Sequence, residues 1–311
     1  MDYILGVDGG GTKTFVQITD ISGKVISESK YGSSNFKSMG IKAARENISK
    51  AILEAIKSIN HSNKFTFKYA CLGLAGNDTP MDDNTYRKII FDSDIKDYMD
   101  PAHTITCNDT RVGLAAGSNS KNRIIIICGT GSSCFGINEE GKEAKANGWD
   151  YILGDEGSGY DIGLNALRAC IRAYDGRGEK TLLSVTILED LGIKSITELV
   201  DWAYSGTLFN NKIAALARTV CATAEKGDKI SAKILKEAAL EAVNSINVVV
   251  NKLNLADKVF DLVFVGKVFK CEKYFKSIVM EKIKSKFIKV NFVPLSEEPV
   301  QGAIKLALKN L

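Results

Sequence analysis

The same local pattern occurs twice in this chain: a strand, a glycine-rich turn, a returning strand and a second turn. The copies occupy residues 3–24 and 123–142, and their glycine-rich turns read Gly9-Gly10-Gly11-Thr12 and Gly129-Thr130-Gly131-Ser132. Glycine and hydroxyl residues at such a tip let backbone N–H groups approach an anion without interference from a Cβ atom. The duplication therefore predicts two lobes that together hold one polyphosphate.

Composition and charge restrict the class of protein. The 311 residues are enough for two lobes with separate cores, and 45% hydrophobic and 25% charged residues are ordinary globular values. A net charge of +4, with both signs interspersed, gives no indication of nucleic acid or a membrane surface as partner. No signal peptide or membrane-spanning run is predicted, since no apolar stretch approaches roughly 20 residues. We expect a cytoplasmic protein with a small-molecule partner.

The cysteines predict reduced, mostly buried thiols. They lie mainly in apolar stretches, no two have C-x-x-C spacing, and only His61 and His103 are available to complete a zinc site. We expect free thiols rather than disulfides or bound zinc. The seven cysteines are Cys71, Cys107, Cys128, Cys134, Cys170, Cys221 and Cys271.

Hydrophobic periodicity predicts an α/β protein. Apolar residues at three- and four-residue steps predict a helix over residues 37–60, and buried strands are expected at 69–76 and 105–109. Alternation of strands and helices indicates mixed sheets with crossover connections. Further helices are predicted at 160–174, 181–190, 196–203, 212–225, 231–253 and about 299–309, and further strands at 262–265 and 290–293.

The pattern places a lobe boundary shortly before the second hairpin. We expect an N-terminal lobe over residues 1–118 and a C-terminal lobe over 119–296, with the last helix, 297–311, a candidate to join the first lobe. No low-complexity segment separates the lobes, which indicates a hinge rather than a tether.

The glycine-rich tips have a simpler explanation, namely tight hairpin turns that need positive φ. The first tip matches neither G-x-x-x-x-G-K-[ST] nor G-x-G-x-x-G, and the segment after it alternates like a strand. A single Gly-Gly-Gly-Thr turn would be weak evidence for phosphate binding. Its pairing with a second tip on a similar hairpin favours the phosphate interpretation.

Three aspartates follow strands or open a helix close to these tips. Asp8 ends the first strand, where its carboxylate would hold Mg²⁺ through water. Asp109 is either the N-cap of the next helix or a general base, and its position alone does not distinguish the two. Asp155 lies in a glycine-dense polar loop, where it either contacts a polar ligand or caps the following helix.

Four segments, taken in order, resemble the BadF/BadG/BcrA/BcrD ATPase family. They are Asp8–Thr14, Asn108-Asp109, Gly129–Ser132 and Leu153–Tyr160. The resemblance runs the whole chain, is most specific in Gly154–Gly159, and within the family is greatest to N-acetylglucosamine kinases. It implies the actin-like ATPase fold of sugar kinases and Hsp70, with two lobes of mixed sheets flanked by helices and ATP·Mg²⁺ in the cleft.

The resemblance also implies a function. It implies phosphorylation of an N-acetylated amino sugar, N-acetylglucosamine or N-acetylmuramic acid or both, at the 6-hydroxyl, in salvage of cell-wall sugars by a homodimer. By motif, Asp109 becomes the base and Asp8 the indirect magnesium ligand. The implied ATP and phosphate contacts are Gly10, Gly11, Thr12, Lys13, Thr130, Gly131 and Gly266. The implied sugar contacts are Asn35, Phe36, Asp109, Ser132, Ser133, Gly148, Trp149 and Asp155.

Three positions depart from the family pattern. Asp150 follows Gly148-Trp149 where the family usually has glycine, Ser133 replaces an asparagine of several relatives, and Lys267 stands where a second glycine is common. Lys267 either lies alongside the nucleotide or is solvated. These departures bear on which amino sugar is accepted.

Two rival functions belong to other classes. An activator ATPase of the same family would need cysteines on exposed turns to hold an iron–sulfur cluster, whereas Cys128 and Cys134 alternate within the second hairpin. A non-catalytic sugar sensor would not need Asp109. The related ROK-type kinases and repressors are disfavoured because their Cys/His zinc motif is absent from the sequence.

Overall fold

A computed structural model describes residues 2–59, 65–205 and 210–311, and the chain divides into two compact units. The first comprises residues 1–119 and 295–311, and the second residues 120–294. His61 and the predicted helix end at Asn60 lie outside the described residues. Among the helices of the described ranges, none has the length and apolar character needed to cross a membrane.

The first unit consists of one five-stranded sheet and its helices. Its strands are β1 (Tyr3–Gly9), β2 (Thr14–Asp20), β3 (Val25–Tyr31), β4 (Tyr69–Leu74) and β5 (Thr104–Cys107). Its helices are α1 (Phe36–Met39), α2 (Ile41–Lys57), α3 (Pro80–Phe91), α4 (Asp109–Gly117) and, from the C-terminus, α12 (Pro299–Leu308). Two short 3₁₀ turns, Lys96–Tyr98 and Pro101–His103, precede β5.

The second unit has the same number of strands and a larger set of helices. Its strands are β6 (Arg123–Cys128), β7 (Ser132–Ile137), β8 (Glu143–Asn147), β9 (Phe260–Val265) and β10 (Val290–Pro294). Its helices are α5 (Asp150–Leu153), α6 (Gly159–Tyr174), α7 (Leu183–Leu191), α8 (Ile196–Ala203), α9 (Asn210–Glu225), α10 (Lys229–Lys252) and α11 (Ser277–Lys286). A 3₁₀ turn at Lys267–Lys270 and a π turn at Glu272–Lys276 precede α11.

The two sheets share one topology. The first sheet has the order β3-β2-β1-β4-β5 and the second β8-β7-β6-β9-β10. If the strands of each unit are numbered 1 to 5 along the chain, both sheets have the order 3-2-1-4-5. In both, the first three strands are antiparallel and the last two join the first in parallel. The duplicated hairpin of the sequence therefore marks a duplicated sheet, and the predicted α/β class with mixed sheets is confirmed.

Most predicted elements are present within a few residues of their expected ends, but the first helix is not continuous. Residues 36–39 form one turn, Gly40 adopts φ +84°, and α2 begins at Ile41. Glycine tolerates this left-handed region whereas other residues are strained there, so the break has a local cause. Ala44, Ile48 and Ile52 then face the core at the predicted spacing.

Helices cover both faces of the first sheet, which explains why β1 is buried and apolar from Tyr3 to Val7. One face packs against α2 and α3, and the other packs against α4 and α12. The α4–α12 contact requires glycine at Gly302, because a Cβ there would overlap the carbonyl oxygen of Val112 and lie 2.6 Å from the nitrogen of Ala116. Close approach of the C-terminal helix to α4 thus depends on one residue.

The prediction that the cysteines are reduced is correct for five thiols and wrong for two. Cys71, Cys107, Cys128, Cys134 and Cys170 are free and buried, whereas Cys221 and Cys271 form a disulfide. The two residues are 50 positions apart, and their Cα atoms lie 5.9 Å apart because the turn before α11 packs beside α9 and α10. Spacing rules based on C-x-x-C motifs do not detect such a long-range pair.

Removal of this disulfide is expected to lower the free energy of unfolding by about 2–4 kcal/mol, because the cross-link restricts a long loop of the unfolded chain. The Cys221→Ser/Cys271→Ser double variant should show this loss in urea denaturation monitored by circular dichroism. A dithiol reductant should destabilise the parent protein and leave the double variant unchanged. Equal stability of both proteins without reductant would contradict the expectation.

Candidate functional site

The first glycine-rich tip is a short exposed turn between β1 and β2. The N–H of Gly10 donates to the carbonyl of Lys13 over 2.8 Å, which closes the turn. Within the described ranges, the N–H groups of Gly11 and Thr12 and the Thr12 hydroxyl have no protein partner. Gly11, Thr12 and Lys13 are exposed. The tip thus presents several unused donors to solvent.

The glycines of this tip are not explained by turn geometry. None of Gly9, Gly10 and Gly11 has positive φ, so the alternative explanation by a left-handed hairpin turn does not apply here. Gly9 is needed for packing, because a Cβ there would overlap the hydroxyl of Ser34 and lie 2.7 Å from Leu74. A Cβ at Gly11 would meet nothing within 4 Å. Neither turn geometry nor packing in the described residues therefore requires glycine at that position.

Asp8 lies beside this tip with a second carboxylate close by. Burial raises the pKa of Asp8 to about 6, Lys13 lowers it, and Glu298 at the start of α12 raises it. Lys13 Nζ lies 4.0 Å from a Glu298 carboxylate oxygen. Glu298 was not predicted, since it lies at the opposite end of the chain from Asp8. A desolvated carboxylate with an acidic neighbour is an environment that a cation stabilises.

The Asn35 turn is attached to the first tip. Ser34 N–H and the Ser33 hydroxyl both donate to the Gly10 carbonyl, over 3.3 and 3.2 Å. Asn35 caps α1 by accepting from Lys37 N–H at 3.0 Å, and its side-chain NH₂ has no partner within the described part of the chain. The structure gives Phe36 a packing role, with its ring 4.9 Å from that of the buried Tyr86.

Asp109 does not cap α4. The cap is Asn108, whose side-chain oxygen accepts from Thr110 N–H over 2.9 Å, and Asp109 is the first helical residue. Of the two interpretations that the sequence left open, the N-cap is therefore excluded. Asp109 is half-buried at the carboxyl end of β5, the edge of a parallel sheet at which ligands commonly bind.

The second tip is also rich in unused donors. Gly129 N–H donates to Gly131 O at 2.9 Å, while the N–H groups of Thr130 and Gly131 have no protein partner in the described ranges. Gly129 does not have positive φ, and a Cβ there would meet nothing within 4 Å, as at Gly11. The start of α6 supports the tip, because Gly159 N–H donates to Gly129 O over 2.8 Å.

Asp155 contacts the second tip directly. Its carboxylate oxygen lies 2.5 Å from the position of a Cβ on Gly131, and it accepts a hydrogen bond from Ser132 N–H. Ser158, not Asp155, caps α6. Burial raises the pKa of Asp155 to about 6, the Ser132 bond lowers it, and Asp150 and Glu156 raise it. The helix-cap interpretation is thus wrong for Asp155 as well.

The loop that carries Gly148 and Trp149 is held by Asn147, which sequence reasoning missed. Asn147 Oδ1 accepts from Gly148 N–H at 2.8 Å and from Asp155 N–H at 2.7 Å, and its backbone has φ +63°. Asparagine tolerates this left-handed region better than most residues, and that tolerance is the one signal available from the sequence. Trp149 is 53% exposed, which leaves the indole available to a ligand.

Two departures from the family pattern have a structural description. Asp150 has φ +67°, in the left-handed region that favours glycine, so its backbone keeps a conformation suited to the glycine usual in the family. Ser133 Oγ is buried without a hydrogen-bond partner in the described structure and lies 2.6 Å from the position of a Cβ on Gly148. Lys267 is exposed.

Gly266 lies against the second tip. It has φ +112°, and a Cβ there would overlap the carbonyl of Cys128 and lie 2.8 Å from Gly129 N. Because β9 pairs with β6 in parallel, the carboxyl end of β9, where Gly266 follows, lies beside the carboxyl end of β6 at Cys128. Within the second unit the structure therefore groups Thr130, Gly131, Ser132, Asp155 and Gly266, while Ser133, Gly148 and Trp149 form a neighbouring set.

Comparison with known proteins agrees with this description. A family model described as the BadF/BadG/BcrA/BcrD ATPase family matches residues 5–307. An N-acetylmuramic acid/N-acetylglucosamine kinase of Clostridium acetobutylicum is 35% identical over 307 residues, which cover 99% of this chain and 98% of that protein. An N-acetyl-D-glucosamine kinase of Dictyostelium discoideum is 31% identical over 319 residues, with the same coverage.

Among solved structures, a Chromobacterium violaceum protein with the provisional description N-acetylglucosamine kinase has a similar fold. It superposes with a TM-score of 0.77 at 22% identity, and 99% of each chain is covered. At this identity the likeness concerns the fold alone.

Asp8→Asn is expected to stabilise the ligand-free protein above about pH 6, where Asp8 is ionised in its buried position. The folded chain binds this proton more tightly than the unfolded chain, so ionisation lowers the free energy of unfolding as pH rises from 3.8 to about 6. The thermal midpoint of the variant should exceed that of the parent at about pH 7.5 and match it at about pH 4. The exposed Asp94, changed to Asn, serves as control. A shift independent of pH would contradict the burial argument.

Proposed function

Because this chain belongs to the BadF/BadG/BcrA/BcrD ATPase family and has the actin-like ATPase fold, we propose that it is an ATP-dependent kinase of an N-acetylated amino sugar. The acceptor is N-acetylglucosamine, N-acetylmuramic acid or both, phosphorylated at the 6-hydroxyl in salvage of cell-wall sugars. The similarity to the Clostridium and Dictyostelium kinases over almost the entire chain supports the substrate class.

The observation that carries the proposal is the pair of glycine-rich tips. Each presents backbone N–H groups without a protein partner in the described ranges, and each contains a glycine, Gly11 or Gly129, that neither turn geometry nor packing requires. Each also lies in a unit with a carboxylate, Asp109 or Asp155, that does not cap its helix. Such donors are suited to phosphate oxygens.

The nucleotide-binding residues follow from these contacts. The N–H groups of both tips and the hydroxyls of Thr12 and Thr130 would bind phosphate oxygens, and Lys13 would neutralise charge. Gly266 allows the turn after β9 to lie against Gly129, so that this turn would contact the rest of the nucleotide. Phosphoryl transfer needs little covalent work from a protein, so positioning and charge neutralisation account for most of the catalysis.

The residues around Asp8 fit a magnesium ion. Asp8 and Glu298 are oxygen ligands of the kind that Mg²⁺ prefers, and the described residues contain no group of three carboxylate, cysteine or histidine side chains that would enclose a metal. With two carboxylates available, Mg²⁺ would complete its coordination with water molecules and nucleotide phosphates. When bound, Mg²⁺ would supply neutralisation of phosphate charge.

In the proposed reaction, Asp109 accepts the proton of the attacking sugar hydroxyl. The side-chain NH₂ of Asn35 and the carboxylate of Asp155 would orient the sugar through its polar groups, together with Ser132, Ser133 and Gly148. The exposed indole of Trp149 would cover an apolar face of the sugar.

The activator-ATPase alternative is disfavoured by the cysteines. Cys128 and Cys134 are fully buried in β6 and β7, and burial raises the pKa of both thiols, that of Cys128 to about 12. A metal ligand must be a thiolate, which these environments oppose. A sugar sensor would bind the sugar without releasing ADP, so an assay of ADP release distinguishes it from a kinase. A homodimer in the cytoplasm completes the proposal.

Sugar-stimulated release of ADP is the expected activity. A coupled assay should compare N-acetylglucosamine, N-acetylmuramic acid, N-acetylmannosamine, glucosamine and glucose, with product position determined by NMR. Asp109→Asn should lower kcat by about 10²–10⁴-fold, since it removes a general base, while ATP still binds. Absence of turnover with every sugar would overturn the kinase proposal, and a near-normal rate in Asp109→Asn would place the base elsewhere.

Gly11→Ala is expected to raise KM for ATP about tenfold while leaving stability unchanged, because the new methyl group obstructs one hydrogen bond to a charged ligand. The matched variant Gly9→Ala should lower the thermal midpoint, since its methyl group would overlap Ser34 and Leu74. Steady-state kinetics and thermal denaturation distinguish the two effects. A KM for ATP equal to that of the parent protein in Gly11→Ala would contradict the proposal that this tip binds phosphate.

A further inference from the structure

One carboxylate in the first unit connects two segments that are distant in sequence. Asp78 lies in the turn between β4 and α3, and its side chain is 11% exposed. Its Oδ2 accepts from Lys37 Nζ at 3.3 Å, and its Oδ1 accepts from Asn108 Nδ2 at 2.9 Å. Asp78 thus uses both oxygens to join the start of α1 to the start of α4.

The first of these segments presents Asn35. The Asn35 side-chain oxygen is occupied by the N–H of Lys37 at 3.0 Å, which fixes the orientation of the amide. Its NH₂ group is the part left without a partner in the described residues. Lys37 provides this backbone N–H, and its Nζ contacts Asp78 and Asp82, so Asp78 is linked through one residue to the segment that carries Asn35.

The second segment presents Asp109. Asn108 caps α4 through its side-chain oxygen, which accepts from the N–H and the hydroxyl of Thr110 at 2.9 and 2.6 Å. The Asn108 NH₂ donates to Asp78, so the amide is held at both ends. Asp109 is the next residue, so the cap holds the backbone from which its side chain extends.

We propose that Asp78 is a positioning residue that holds Asn35 and Asp109 in one arrangement for phosphoryl transfer. The inference rests on the proposed kinase function and adds a residue to it. In this proposal Asp78 acts through Lys37 and Asn108 rather than by contact with a substrate. Misplacement of a base by about 1 Å costs up to about 100-fold in rate, so a link of this kind has a measurable effect.

The surrounding contacts allow the link to be removed without unfolding the turn. Lys37 keeps its shorter ion pair with Asp82, at 2.8 Å, and Asn108 keeps its cap on α4. The turn itself is held by backbone N–H groups of Asp78 and Thr79, which donate to Asp82 over 3.2 and 2.9 Å. Substitution of the Asp78 side chain leaves these bonds in place.

The test compares Asp78→Ala and Asp78→Asn with the parent in the ADP-release assay with N-acetylglucosamine. Alanine removes both links, whereas asparagine has one acceptor oxygen and keeps one link at most. We expect kcat/KM for the sugar to fall about 10- to 100-fold in Asp78→Ala and less in Asp78→Asn. KM for ATP and the thermal midpoint should stay close to the parent values.

Two further variants separate positioning from general effects. Asp83→Asn removes the same charge five residues further along the chain. Asp83 accepts hydrogen bonds from Asn77 at 3.0 Å and from Thr106 at 2.5 Å. The Asp83→Asn variant should have the kinetic constants of the parent protein. Asn108→Ser retains a capping side chain but lacks the NH₂ group that donates to Asp78, and it leaves the Lys37 link in place, so it should lower kcat/KM for the sugar less than Asp78→Ala does. The Asp78→Ala/Asn108→Ser double variant should be no worse than Asp78→Ala, because Asp78→Ala already removes the link to Asn108.

Each outcome decides between the two proposals. Normal sugar kinetics in Asp78→Ala, or a loss shared by ATP affinity, thermal midpoint and Asp83→Asn, would overturn the positioning role while the kinase function stands. No sugar-stimulated turnover in the parent protein would overturn both. A selective loss of sugar kinetics in Asp78→Ala, repeated in part by Asn108→Ser, is the result expected from the network.

Discussion

Parallel pairing of β1 with β4 and of β4 with β5 is the constraint on which the first candidate site depends. In parallel strands the carboxyl ends lie at one edge of the sheet. That edge contains Asp8 at the end of β1, the Asp78 turn after β4 and Asn108-Asp109 after β5. Segments far apart in the chain thereby come within hydrogen-bond reach, as the Asp78–Asn108 contact shows. Without this pairing, none of these side chains would have a reason to meet.

The second unit repeats the constraint with different occupants. Pairing of β6 with β9 sets Gly266 against Gly129, and the start of α6 donates to the carbonyls of Gly129 and Thr130. The same strand order in both sheets means that each glycine-rich tip has a parallel neighbour on one side and a returning strand on the other. The polar side chains differ between the units. The first unit has carboxylates bound to Lys37, and the second has the loop that Asn147 holds. The two units therefore share a strand order and differ in the polar residues at the ends of the strands.

Prediction from the sequence succeeded where the signal was local. The hairpins, most helices and the half-buried aspartates near strand ends are encoded by alternation, three- and four-residue spacing and short glycine motifs. It failed where two distant segments decide the outcome. The Cys221–Cys271 bond and Glu298 beside Asp8 have no local signature. The Asn108 cap was missed for another reason: Asn108 and Asp109 are both good caps, and only the backbone conformation of α4 selects between them.

The amino-acid sequence by itself determined that the chain is a duplicated α/β structure with two glycine-rich tips, because strand alternation and glycine-rich turns act over a few residues. It also determined the family resemblance, through motifs of the same short range. The tertiary structure alone decided why the glycines are there: Gly9 and Gly266 for packing, Gly11 and Gly129 for nothing within the protein itself. That distinction depends on which atoms lie within about 4 Å of an absent Cβ, and such neighbours come from remote parts of the chain. The duplicated hairpin can thus be read from the sequence, whereas the surroundings of each glycine in it are known only from the fold.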